Sequence, residues 1–100
     1  MSRLRLRLFV AGDSPRSHEA IANLRLLCAE LSVDGADCEV VDVLQSPDEA
    51  EMLRILTTPT LVRTEPAPAR RVTGDLSDHA AVLRGLALPL QDPPLRSTAA

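Results

Sequence analysis

The stretch Thr57-Thr58-Pro59-Thr60-Leu61-Val62-Arg63 limits the fold more than any other part of the chain. Apolar residues at helical spacing (Ala50, Met52, Leu53, Ile55, Leu56) run up to it and stop. Proline disfavours the α region for the residue before it, so Thr58 must close the preceding helix. Thr60 to Arg63, led by a β-branched residue directly after the proline, reads as a strand. A threonine–proline junction at a strand start is also a common setting for a cis peptide bond. The chain therefore changes from helix to sheet at Thr58-Pro59.

With 100 residues the chain holds one domain with one modest core, assigned to residues 1–90, followed by a flexible tail over 91–100. Net charge is −3, which argues against nucleic acid as a partner, and the lone aromatic, Phe9, leaves no platforms for stacking bases. No apolar run approaches the roughly 20 residues that cross a bilayer, and no signal-peptide block precedes the first alternating segment. The expectation is a cytoplasmic protein with no membrane association. Cys28 and Cys38 are ten positions apart on different expected elements, which is neither a C-x-x-C pair nor a zinc ladder. This favours two free, buried thiols over the alternatives of a disulfide or a redox sensor.

Taken in order, Arg3 to Val10 alternates, with Leu4, Leu6, Leu8 and Val10 on one face and Arg3, Arg5 and Arg7 on the other. The arginine face suits either solvated ion pairs or an acidic partner. Ser14 and Pro15 open a helix whose apolar side is Ala20, Ile21, Leu24, Leu27, Cys28 and Leu31, ending near Ser32 to Gly35. Cys38 to Leu44 is a second strand, and a strand–helix–strand unit of this length implies a right-handed parallel crossover. Ser46-Pro47-Asp48-Glu49 has the form of a helix start with a capping box, and the helix is expected to run through Leu56. Beyond Arg63, Glu65-Pro66-Ala67-Pro68-Ala69 is a stiff turn, and Arg70 to Thr73 returns as a paired strand. Asp75 or Ser77 caps a last helix carrying Leu76, Ala80, Leu83, Leu86 and Leu90. The order β-α-β-α-β-β-α, with helices on both faces, is the minimal thioredoxin-like plan.

In that plan Pro59 faces the start of the first helix, where a redox enzyme carries its cysteines. Here the positions are Ser14 and Ser17, whose hydroxyls cannot be acidified into nucleophiles as thiols can. His18 and His79 are not placed as bases, and no ligand spacing supports a metal. Gly12 stands alone, so there is no phosphate loop. A thiol- or glutathione-binding protein using Ser14 is the enzyme-class alternative; otherwise the chain reads as a redox-silent binding scaffold without a cofactor.

Four segments carry a family resemblance: Leu8 to Pro15, Val41 to Leu44, Ile55 to Leu61 and Arg70 to Ser77. Together they resemble the KaiB circadian-clock proteins, without an evident gap from about Leu6 to Leu86. The resemblance implies a non-enzymatic protein that binds the hexameric ATPase KaiC, with KaiA or a sensor histidine kinase as further partners. It also implies a second packing, a ground state that forms a tetramer or dimer, in which the half from about Ser46 onward is rebuilt. Residue by residue, it assigns partner contacts to Arg54, Arg70 and Arg71. Conformational roles go to Thr58, Pro59, Pro66, Pro68 and Gly85, with loss of the glycine favouring the thioredoxin-like state. Ala67 interrupts the usual proline triplet, Ala87 replaces an acidic residue, and Glu19 and Glu39 occupy positions often basic in cyanobacterial members. These departures point to a divergent paralogue.

Overall fold

Residues 4–31 and 36–88 are described by the structure, a computed structural model. The elements follow the expected order: β1 (Arg5–Val10), α1 (Pro15–Leu31), β2 (Asp37–Asp42), α2 (Pro47–Met52), β3 (Thr60–Glu65), β4 (Arg70–Thr73) and α3 (His79–Gly85). One sheet runs β2-β1-β3-β4. β1 and β2 pair in parallel, with Phe9 opposite Val41, while β1–β3 and β3–β4 are antiparallel. Arg3, the expected end of α1, the tail and Leu90 lie outside the described residues.

Side-chain alternation divides the core into two layers. Leu6, Leu8 and Val10 of β1 pack with Leu61, with Ala20, Leu24, Leu27 and Leu31 of α1, and with Val82 and Leu83 of α3. On the opposite face Phe9 packs with Val41, Val62 and Ala50 of α2. The arginine face of β1 resolves into ion pairs: Arg5 with Glu65, and Arg7 with both Glu39 and Glu49. Arg7 also lies over the Phe9 ring, 5.3 Å from its centroid. Hydrogen bonding to Glu49, helped by the charge of Glu39, holds the Arg7 guanidinium above its ordinary pKa against the opposing effect of burial.

Several expectations are corrected. The cysteines are not free: Cys28 and Cys38 form a disulfide, with Cα atoms 6.5 Å apart. That separation is within the normal span for a disulfide. The pairing follows from the crossover, since Cys28 lies one turn before the end of α1 and Cys38 is the second residue of the strand after it. α2 ends at Met52, not Leu56. Arg54 takes a left-handed conformation (φ 54°), its N–H donates to the Glu51 carbonyl, and the Ile55 N–H reaches the Ala50 carbonyl at 2.9 Å. This is a Schellman stop, hidden in the sequence because arginine stands where glycine is usual. The capping box at α2 does not form, since the Ser46 side chain makes no cap hydrogen bond and Glu49 is drawn to Arg7. α3 is capped by Asp78, whose carboxylate accepts from the Ala81 N–H, and not by Asp75 or Ser77. It ends in a second Schellman stop at Ala87 (φ 57°), with the Leu88 N–H donating to the Leu83 carbonyl.

Gly85 marks a close approach between α3 and β4. A Cβ there would lie 2.4 Å from Cγ2 of Val72. The contact penalises any side chain at this position within the thioredoxin-like packing. Overpacking of about 1–3 kcal/mol outweighs the gain of about 1 kcal/mol in helix propensity. Gly85→Ala should therefore lower the urea midpoint, and in a Val72→Ala background the same change should raise it. Opening the disulfide, by reductant or by Cys28→Ser with Cys38→Ser, should lower unfolding free energy by about 2.5 kcal/mol, from the chain-entropy model for this loop length. Urea unfolding of the oxidised and reduced protein checks this.

Candidate functional site

At the start of α1 the structure uses both serines to build the helix. The Ser14 hydroxyl accepts from the Ser17 N–H at 3.1 Å and donates to the Ser17 hydroxyl at 2.9 Å. Ser17 is buried. His18 faces Asp13, not either serine. Nothing in this arrangement generates a nucleophile, and the Ser14 hydroxyl is already engaged as a cap.

Pro59 reaches the same end of the sheet, because Thr60 pairs with Phe9 close to where β1 stops. The Thr58-Pro59 bond is cis, as are Glu65-Pro66 and Ala67-Pro68 in the β3–β4 turn. The junction is held by the Thr60 hydroxyl, which donates to the Thr57 carbonyl at 2.7 Å, and by the Gly74 N–H, which donates to the Pro59 carbonyl at 2.9 Å. These bonds anchor the entrance to β3 on both sides. Thr58 and Pro59 thus carry structure at this end, while Pro66 and Pro68 lie at the opposite end of the β3–β4 hairpin.

The three arginines assigned to partner contact do not form one patch. Arg71 pairs with Val62 on the α2 face, and its guanidinium donates to the carbonyls of Leu53 (2.6 Å) and Arg54 (3.0 Å). Arg54 and Arg71 are thereby brought together. Arg70 pairs with Arg63 and projects from the other face, by the alternation of the strand. Arg63 is itself buried, and the sequence did not flag it. One terminal nitrogen donates to the Pro68 carbonyl at 2.8 Å, while its Nε has no hydrogen-bond partner.

Beside Arg54 the early stop of α2 opens an apolar groove of about 650 Å³. Val43, Pro47, Ala50 and Ile55 line it, with Glu51 and Arg54 as its charged members and Leu56 at its rim. Leu56 is 90% exposed, Met52 81% and Leu44 70%. Exposed aliphatics around an apolar cleft are the signature of a docking surface. Sequence reasoning missed the groove because it assigned Leu53, Ile55 and Leu56 to a buried helical face. Among the described residues, no group of His, Cys, Asp and Glu could hold a metal ion, and no helix is long and apolar enough to cross a membrane.

At the far end of β4, hydrogen bonds from Ser77, side chain first and backbone N–H second (3.0 Å), hold the Asp75 carboxyl below the usual carboxylate range. Asn23 of α1 donates to the Asp75 carbonyl at 2.8 Å, so this turn also positions α3 against α1.

Comparison with known proteins follows the same geometry. A family model described as the KaiB domain matches residues 7–88. The chain is 44% identical over 86 residues to circadian clock protein KaiB3 of Synechocystis, covering 86% of this chain and 84% of that protein. It is 45% identical over 84 residues to the circadian clock oscillator protein KaiB of Synechococcus elongatus, covering 83% and 81%. Among solved structures, the N-terminal domain of Synechococcus elongatus SasA superposes with a TM-score of 0.68 at 25% identity, covering 91% of this chain and 90% of that one. A thioredoxin from Fasciola hepatica also superposes at 0.68, with 20% identity over 83% of this chain and 81% of that one, a likeness of fold alone. The fold is thioredoxin-like.

A depressed carboxyl stabilises the folded state above the ordinary aspartate pKa, and the contribution is lost as pH falls through the lower folded value. The Asp75 turn should therefore persist at neutral pH and loosen only below about pH 4. In an NMR titration the Asp75 carboxyl and Ser77 amide should report one midpoint below that of a free aspartate. Ser77→Ala should move it upward.

Proposed function

The chain belongs to the KaiB family, and from that premise we propose that it is a non-catalytic, cytoplasmic regulatory adaptor that docks on a KaiC-like hexameric ATPase. The observation that carries this reading is the exposed apolar groove beside α2, with Arg54 and Arg71 at its edge. An aliphatic cleft with Arg54 and Arg71 at one edge and Glu51 in its lining suits a partner segment whose apolar side chains enter the cleft and whose carboxylate meets the arginine edge. The absence of a nucleophile at Ser14 and Ser17 favours binding over catalysis. KaiA and a sensor histidine kinase with a related domain are the secondary partners in this proposal. The alternative tetrameric packing belongs to it as well, with the segment after Ser46 as the part rebuilt.

Arg54 and Arg71 contribute to the surface differently. The Arg71 guanidinium is committed to two backbone carbonyls, so it shapes the end of α2 as much as it offers charge. Arg54 lies in the left-handed position of the helix stop and lines the groove. Arg70, on the opposite face, is left outside the proposed surface.

Co-elution of the protein with a KaiC-like ring in the presence of ATP tests the proposal. Leu56→Asp changes a side chain exposed on the groove rim and should leave folding intact while weakening co-elution about tenfold or more. Arg54→Glu should weaken it similarly, with an added dependence on salt. Arg70→Glu should have little effect. Undiminished binding by Leu56→Asp and Arg54→Glu would remove the groove as the contact site.

A further inference from the structure

We infer that Cys28 and Cys38 form a reversible thiol–disulfide exchange site, served by a low-molecular-weight thiol or a dithiol reductase, whose oxidation state sets how firmly the edge strand β2 is held to α1. The two cysteines are joined across the layers, and both residues are half-buried at the margin of the core. Exchange requires a thiolate to reach one sulfur of the bond, and partial exposure permits that approach. The redox chemistry missing at Ser14 and Ser17 is thus present near the other end of the same helix.

β2 is the element with most to lose when the bond opens. It is an edge strand, paired only with β1. On the face covered by α1 it offers Cys38 and Val40, and Val40 is 43% exposed. On the opposite face Val41 is its single buried side chain. Beside the β1 ladder, Val41 and the Glu39–Arg7 ion pair, the disulfide ties β2 covalently to α1.

The step balances as an ordinary exchange. One reductant thiolate attacks a sulfur of the Cys28–Cys38 bond, forming a mixed disulfide and releasing the other cysteine as a thiolate, which takes up a proton. A second reductant thiol resolves the mixed disulfide. Cys28 and Cys38 end as thiols, having gained two electrons and two protons, and the reductant ends as its own disulfide. The regulatory sense of this step rests on the cytoplasmic reading above, because disulfides in a reducing compartment are usually ones that cycle.

The test uses the full chain, oxidised in air and then incubated without denaturant in reduced glutathione or dithiothreitol. Maleimide labelling is counted by intact mass, circular dichroism reports the fold, and hydrogen exchange reports local opening. With the reductant removed before labelling, two labels should appear with the fold retained, and treatment of the reduced protein with oxidised glutathione before labelling should abolish them. Amides of β2 and of the last turns of α1 should exchange about tenfold faster in the reduced protein, with β3 and β4 unchanged. The variant with Cys28→Ser and Cys38→Ser should show the fast pattern with or without reductant. Labelling that requires denaturant would overturn the proposal, as would thiols that stay free after oxidation. Reduction with no change at β2 would equally overturn it. None of these measurements contains an ATPase, so their failure is separable from failure of the adaptor reading.

Discussion

β1 is the strand on which everything else is built, because it must satisfy two ladders and two core layers at once. It pairs with β2 in parallel and with β3 in antiparallel, so it is closed to further strands. Leu6, Leu8 and Val10 feed one layer and Phe9 the other. Of its two charged residues, Arg5 is exposed and Arg7 is half-buried. Arg7 lies over Phe9 and collects Glu39 from β2 and Glu49 from α2, so one guanidinium spans three elements. Partly exposed pairs of this kind contribute about 0–1 kcal/mol each, so the arrangement orients α2 more than it stabilises it. It also explains why Glu49 is lost to the capping box.

The orientation of α2 matters because the helix is short. A left-handed Arg54 ends it after Met52, and the chain then runs apolar to Leu56 without helical cover. Arg71, reaching across from β4, ties off the two carbonyls left at that end. Helix stop and arginine tether together expose the groove. Where β1 stops, the position where a thioredoxin would carry its chemistry is closed by mutual hydrogen bonding of Ser14 and Ser17. The apolar groove lies beside α2, on the face of the sheet opposite α1.

β2 connects this face to the disulfide. Cys38, Val41 and Val43 follow one another along a single stretch of backbone: Cys38 is bonded to α1, Val41 packs under Ala50, and Val43 lines the groove. The buried Arg63, with an unpartnered Nε, is a separate cost within β3.

Element order, the parallel crossover, the Thr58-Pro59 junction and the loss of redox residues at Ser14 and Ser17 were all legible in the sequence. Each depends on periodicity, turn chemistry or residue identity, which are local properties. The family resemblance was legible for the same reason, through contiguous segments. The end of α2 was not, because a left-handed arginine has no marker in composition and is fixed by hydrogen bonds to Glu51, Ala50 and Arg71. Nor was the separation of Arg70 from Arg71, although strand alternation hinted at it. The cysteine pair, read locally as two buried thiols, became a bond only when the crossover returned β2 beneath the last turns of α1. By itself the sequence determined which elements form and that their thioredoxin-like frame lacks the redox pair. The tertiary structure alone decided which side chains meet across elements, because those meetings depend on distances between segments that no local pattern encodes.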